Sequence, residues 1–344
     1  MKLGVNLTYQ GAAELAVRAE QLGYDVAFAP EGYRSDAPSV LGLVAGRTER
    51  IGLASGVMQI PARTPALAAL TAATLNSLSN GRFRLGLGVS NPEVSDGWYG
   101  VPFGQPLQRT REYVEIVRMA LSGEPVRYQG EHYRLPYSGS GGAPLHVITE
   151  GAHSPVPVYL GAVGPKNLRL AGEIADGWIG VFAAPEHVAE SVGHIRQGRE
   201  SVGGTMSGFE AIPALATSIG EDTDECIDLL RDHYAHLMGI GTAERNFYCS
   251  LAARLGFADE AAEVSGFVRA GDRARAAKAV PRDFIDGTSL AGPVSRVAGR
   301  LREYADTGAT TLSIMISAVA TDLDGRLAIL EQAMTALDRS GVRG

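Results

Sequence analysis

Leu78-Ser79-Asn80-Gly81-Arg82-Phe83-Arg84-Leu85-Gly86-Leu87-Gly88-Val89-Ser90 joins the end of one element to the whole of the next. Residues 65–78 read as a helix, with Pro65 in its first turn and Gly81 just past its end. Residues 83–89 read as a strand that follows after one short turn. Gly86 and Gly88 have no third glycine opening a helix behind them, so the stretch is not a dinucleotide-binding fingerprint. The same helix-to-strand unit repeats in both directions. Strands are expected at 3–8, 25–29, 51–57, 83–89, 156–160, 178–182, 210–218 and 311–316. Amphipathic helices fall between them, and a last helix at 322–337 closes the set. Eight such units without a split in the middle argue for a (β/α)8 TIM barrel rather than a doubly wound sheet. One barrel domain is expected over 1–344.

The rhythm breaks twice. Residues 126–135, with Gln129-Gly130 at their centre, read as a β-hairpin, and the Gly- and Pro-rich stretch 136–155 reads as a loop. Residues 242–279 are mostly helical and hold no strand, so they are expected to be an insertion that covers the barrel mouth or builds a dimer.

Composition narrows the function. Of 344 residues 43 are Gly, against a usual share of roughly 7%, yet apolar and charged residues stand at an ordinary 45% and 20%. The glycines lie among hydrophobic runs, which excludes disorder and collagen. A net charge of −7 makes the chain a poor general binder of nucleic acid or anionic membrane, but leaves room for a local anion pocket. Cys226 and Cys249 cannot build a disulfide framework and read as buried apolar fillers. No secretory leader is visible, and the most apolar stretch, 62–78, carries Arg63 and Asn76, so neither export nor a membrane span is expected. The expected place is the cytoplasm, and the expected partner a small molecule.

In such a barrel the active site lies at the C-terminal ends of the strands. Those ends carry Asn6, then Glu31, Ser55-Gly56-Val57, Val89-Ser90-Asn91, Gly161-Ala162-Val163-Gly164 and Gly177-Trp178-Ile179. No metal set is expected: the seven His are scattered, and His233 and His236 read as helix-surface residues. There is no nucleophile elbow and no phosphate loop of the G-x-x-x-x-G-K type. Gly161 to Gly164 precede a helix, where small residues let amides approach an anion, and Asp176-Gly177-Trp178 would bring a second backbone beside them. Glycine at such a turn is also ordinary turn chemistry. A large, mostly apolar ligand with a phosphate tail suits this rim.

Several segments together carry a resemblance. They are Glu31-Gly32-Tyr33-Arg34-Ser35-Asp36-Ala37, Gly56-Val57-Met58-Gln59-Ile60-Pro61, Asn80-Gly81-Arg82-Phe83, Gly97-Trp98-Tyr99-Gly100, Arg111-Glu112-Tyr113-Val114, Leu160 to Asn167 and Gly172 to Trp178. With them, in order along nearly the whole chain, the sequence resembles the bacterial-luciferase-like superfamily. Within that superfamily it is similar to the deazaflavin (F420)-dependent oxidoreductases. The resemblance implies a homodimer of (β/α)8 barrels binding F420 at the strand ends. It implies a non-prolyl cis peptide at Gly56–Val57, with Ser55 before it, under the deazaflavin ring. Val89, Ser90 and Asn91 would contact the ring's polar edge, and Asn6 would line the same mouth. The backbone of Gly161, Ala162, Val163 and Gly164 and of Gly177, Trp178 and Ile179 would hold the phosphate.

The implied chemistry is hydride transfer between the deazaflavin C5 and a carbon of a small organic substrate, a C=C or C=N bond or a methylene-pterin-like group, without oxygen activation. Glu31 stands where relatives place an acidic residue near the ring and is the expected acid–base residue; the other reading is a loop glutamate that orients the cofactor or pairs with an arginine. Tyr33 and Asp36 are weaker choices, and Trp98 reads as packing. Arg34 stands where relatives commonly carry Gly, and Gly161 where Ala is usual. Two alternatives share the fold: an FMN-dependent monooxygenase, and a protein that binds F420 or flavin without turnover.

Overall fold

The computed structural model describes residues 1–32, 35–137, 139, 141–150 and 155–344. Tyr33, Arg34 and His153 therefore lie outside the described residues. The strands of the alternation are β1 (Lys2–Asn6), β2 (Val26–Ala29), β3 (Gly52–Ser55), β4 (Phe83–Gly88), β5 (Val158–Gly161), β6 (Gly177–Val181), β7 (Glu210–Ile219) and β8 (Thr311–Met315). They are the eight strands of a (β/α)8 barrel with insertions. Most of their residues are buried, as expected of parallel strands covered by helices.

The chain divides into two compact units. One comprises Val26–Ile179 and His194–Phe209. In it β2, β3, β4, β5 and the first three residues of β6 run parallel in that order, with Ala29 opposite Ser55, Leu53 opposite Phe83, Gly88 opposite Gly161 and Gly161 opposite Ile179. The ladder between β3 and β4 reaches only Ala54 and Arg84, and a side chain continues it. The Ser55 hydroxyl donates to the Gly86 carbonyl (2.8 Å) and accepts from the Gly86 amide (2.9 Å). Only glycine fits there, because a Cβ on residue 86 would stand 1.9 Å from the Ser55 carbonyl oxygen.

The same unit holds the helix Pro106–Leu121, whose Tyr113, Ile116, Val117 and Ala120 form a buried stripe. Glu112 lies on that buried side and is fully covered. Its carboxylate reaches the turn of the hairpin formed by Tyr128–Gln129 and Arg134–Leu135. Oε1 accepts from the Glu131 amide and the Gln108 side chain, both at 2.9 Å. Oε2 accepts from the amides of His132 (2.9 Å) and Tyr133 (3.1 Å). The turn is thus closed on a carboxylate supplied by the helix that precedes the hairpin.

The other unit comprises Met1–Asp25, Gly180–Gly193 and Glu210–Gly344. Here β8 pairs with β1 on one side and β7 on the other, Ile314 standing opposite Val5 and Leu215. The end of β7 pairs with one further parallel strand, Ser289–Gly292. No strand is expected there from the sequence, because Ser-Leu-Ala-Gly stands between Thr288 and Pro293 without the flanking apolar residues that carry β3 in the run 51–57. The helix expected over 222–238 is two, Thr223–Asp228 and Arg231–Met238, with a break that no Gly or Pro signals. Residues 242–279 form Phe247–Arg254, Ala258–Arg269 and Arg273–Ala279.

These helices pack around an aromatic cluster. Phe182 stacks on Tyr234 with ring centres 4.8 Å apart, and Tyr248 and Phe284 meet Phe182 edge-on. Cys226 and Cys249 are buried in the same cluster, and burial pushes the Cys249 thiol up to about 11. Among the described residues no helix is long and apolar enough to cross a membrane.

Glu112 makes the fold pH-sensitive in a specified direction. Burial alone would push its carboxyl up. The bonds from Gln108 and from the amides of Glu131, His132 and Tyr133 outweigh it and hold the group below the ordinary value. A lowered native pKa means that the ionised group stabilises the fold above the unfolded value, about 4.3, and that this contribution fades as the pH falls through the native one. Glu112→Gln is therefore expected to lower Tm at pH 7, with the gap from the parent protein narrowing steadily below about pH 4.3. A gap that is the same at every pH would contradict this role.

Candidate functional site

The C-terminal ends of β2 to β5 lie side by side in one unit, and most of what they present is backbone. The Gly56–Val57 peptide bond is cis and non-prolyl. Gly88 at the end of β4 lets Val57 sit close, since a Cβ there would stand 2.6 Å from Val57 Cγ2. Val89, Ser90 and Asn91 follow, all half-buried. Ser90 has φ 66°, a left-handed backbone rare for a residue with a side chain. The Asn91 side chain accepts from the Val94 amide at 2.9 Å and so caps the short helix Pro92–Gly97.

Around this backbone runs one polar network. The Glu31 side chain is 4% exposed. Its Oε1 accepts from the Gln59 amide (3.0 Å), and Oε2 accepts from the Ala37 amide (3.3 Å) and Arg63 Nη2 (3.1 Å). Arg63 Nη2 also binds the Asp36 carboxylate. Asp36 in turn caps the helix Ala37–Ala45 by accepting from the Ser39 amide at 2.9 Å. Burial works to raise the Asp36 carboxyl, but the bonds from Ser39 and the Arg63 charge outweigh it and hold the group low. Tyr113 donates to the Arg63 carbonyl at 3.2 Å. The Gln59 side chain donates to the Glu31 carbonyl (3.2 Å) and accepts from the Ser90 hydroxyl (3.3 Å).

Tyr99 belongs to the same neighbourhood. Burial, and then the negative charge of Glu31, push its phenol up, so it carries its proton throughout the neutral range. The sequence reading names Glu31 and Asp36 here but not Arg63, Gln59 or Tyr99. Tyr99 lies within the Gly97 to Gly100 segment, and Arg63 and Gln59 just follow the third strand, so position along the chain is the one signal that points to them.

On the β5 side, Gly164 begins the helix Pro165–Ile174 with no side-chain cap. Pro165 has no N–H, and the first-turn amides that follow it have no partner within the helix. Asn167 Oδ1 beside them is buried without a hydrogen-bond partner. Trp178 is buried, and its indole donates to the Ala162 carbonyl at 2.8 Å, which fixes the course of this loop. An uncapped helix start with an orphaned amide oxygen fits the polar tail of a ligand such as F420.

The structure thus brings Glu31, Ser55, Gly56, Val57, Val89, Ser90, Asn91 and Gly161 to Gly164 to neighbouring strand ends, whereas Gly177, Trp178 and Ile179, expected beside them, are the buried first residues of β6, paired with Tyr159, Leu160 and Gly161. The Ser55 hydroxyl itself is fully buried on Gly86. Asn6 ends β1 in the other unit and is buried. Trp98, expected to pack, is instead 64% exposed, because the short helix it follows ends at the surface between Gly97 and Gly100. Among the described residues no group of three or more His, Cys, Asp or Glu could hold a metal ion.

The family model described as luciferase-like monooxygenase matches residues 2–311. A Mycobacterium tuberculosis protein named as a candidate coenzyme F420-dependent oxidoreductase is 37% identical over 328 residues, 91% of this chain and 94% of that one. The 5,10-methylenetetrahydromethanopterin reductase of Archaeoglobus fulgidus is 28% identical over 90% of this chain and 92% of its own. The solved structure of the coenzyme F420-dependent tetrahydromethanopterin reductase of Methanopyrus kandleri superposes with a TM-score of 0.82 at 24% identity, covering 97% of both chains. That likeness shows the fold. Family match and whole-chain identity lead to one conclusion: the chain belongs to the luciferase-like monooxygenase family.

Proposed function

We propose that the protein is an F420-dependent oxidoreductase acting on a carbon of a small organic substrate. The observation that carries this reading is the 37% identity, over 91% of the chain, to a relative named for F420. The uncapped start of Pro165–Ile174 and the backbone-lined ends of β3 and β4 support it. When bound, F420 supplies a deazaflavin carbon that gives or accepts a hydride. The amides of Gly161 to Gly164 would hold its phosphate, and Gly56, Val57, Val89, Ser90 and Asn91 would bound the ring, with Ser55 behind them. The relative from Archaeoglobus fulgidus supports a reducible methylene-pterin-like or C=N group as substrate. Titration with F420 and with FMN tests the cofactor: F420 is expected to bind at least about tenfold more tightly, a difference of about 1.4 kcal/mol. Tighter FMN binding with oxygen consumption would give the monooxygenase reading instead.

Glu31 is the acid–base residue that the resemblance implies, but its partners favour positioning. Its two oxygens already accept from two amides and a guanidinium. On this reading it holds the loops after β2 and β3 in place. Glu31→Gln is expected to cost about 1–3 kcal/mol of stability, to weaken F420 binding, and to leave the pH profile of turnover unchanged. Native Tm and affinity with turnover abolished would return the proton-transfer role to Glu31.

The proposal includes a homodimer. The helices Ala37–Ala45 and Pro65–Leu78 pack on each other and contain no charged residue. They nevertheless expose Leu43, Leu67, Leu70 and Leu78, the last at 60%. An uncharged apolar face of this kind suits a second copy of the same chain across a two-fold axis. Sedimentation is expected to show a dimer for the parent and a folded monomer for Leu67→Lys/Leu70→Lys. A monomeric parent, or a dimer that survives both changes, would count against this face.

A further inference from the structure

Gln59 stands where the loops after β2, β3 and β4 meet. It belongs to the short strand Met58–Gln59 and pairs in register with Gly88. Its main-chain amide donates to Glu31 Oε1 at 3.0 Å, its Nε2 donates to the Glu31 carbonyl at 3.2 Å, and its Oε1 accepts from the Ser90 hydroxyl at 3.3 Å.

The polarity of this chain of bonds is fixed from one end. A main-chain carbonyl can only accept, so the Gln59 amide must turn its NH2 toward Glu31. Its oxygen then faces Ser90. That oxygen can only accept as well, so the Ser90 hydroxyl must donate. A hydroxyl has one hydrogen, and here it is committed. Lone pairs are what Ser90 Oγ has left for anything else at the end of β4, where the residue is half-buried.

We infer that Gln59 is a positioning residue that fixes Ser90 as a hydrogen-bond acceptor, so that this site selects a ligand group carrying an N–H or O–H donor. The inference rests on the F420 reading and deepens it. The pyrimidinedione ring of a deazaflavin carries one imide N–H between two carbonyls. A freely turning serine would meet the N–H or a carbonyl equally well. A serine with its hydrogen committed accepts from the N–H and opposes a carbonyl lone pair. Gln59 thereby sets which way the ring's polar edge faces without touching it.

The test compares F420 with its isosteric analogue in which ring oxygen replaces the imide N–H, a change from donor to acceptor without added bulk. Dissociation constants are read from deazaflavin fluorescence for the parent, Gln59→Met and Ser90→Gly, glycine being the residue that tolerates the positive φ at position 90. In the parent the analogue is expected to bind at least about tenfold more weakly than F420, the usual order for an acceptor left facing an acceptor. The ratio is expected to fall to within about twofold in both variants, because in one the Ser90 hydrogen is released and in the other the hydroxyl is gone. A merely structural role for Gln59 would weaken both ligands alike and leave the ratio as in the parent. That result, or a parent ratio near one with F420 bound, overturns the inference while the F420 reading stands. Failure of the parent protein to bind F420 overturns the reading and the inference together.

Discussion

A carboxylate buried to 4% exposure cannot stand alone, and the Glu31 carboxylate is met on three sides: by the Arg63 guanidinium, the Gln59 amide and the Ala37 amide. Removing an ion from water costs several kcal/mol, so such a group orders whatever segments supply its partners. Here those segments are the loop after β3 and the start of the helix Ala37–Ala45. Through Gln59 the constraint extends to Ser90, and through Arg63 to Asp36. The polar side of the candidate site is therefore one connected set of bonds with its polarity fixed throughout, not a collection of separate side chains.

The other side is fixed by the absence of side chains. Gly86 lets the Ser55 hydroxyl replace a missing rung of the ladder, and Gly88 lets Val57 approach the end of β4. The glycine excess of the composition has part of its cause here, in strand ends where backbone must lie against backbone. Glu112 repeats the logic of Glu31 away from the mouth: a covered carboxylate surrounded by amides, holding a turn that has no core of its own.

The eight strands could be read from the sequence because buried parallel strands are short apolar runs between glycines and helix caps, as at Gly81-Arg82-Phe83. Ser289–Gly292 could not: it has the length and residue types of β3, but β3 lies within the longer run 51–57 while Ser289–Gly292 is cut off between Thr288 and Pro293, and it is recognised only by its partner β7. The break between Thr223–Asp228 and Arg231–Met238 leaves no mark in residue type. At the site, the strand-end rule and the resemblance lead to the loops after β2, β3 and β4 that carry the Glu31 network, and the cis bond at Gly56–Val57 follows from the resemblance alone. What neither gives is the wiring. Glu31 and Gln59 are 28 residues apart, and which atom of one meets which atom of the other depends on strand register and rotamer, not on spacing. Trp98 failed for a related reason: a tryptophan reads as core until the local chain is seen to end at the surface.

The central claim is that the strand ends of β3 to β5 are built around F420. A crystal structure of the protein with F420 bound tests it most directly. The account predicts the phosphate against the amides of Gly161 to Gly164 and the deazaflavin ring beside Gly56–Val57, with its imide N–H turned toward Ser90. A cofactor bound elsewhere, or a ring with a carbonyl facing Ser90 Oγ, would contradict it.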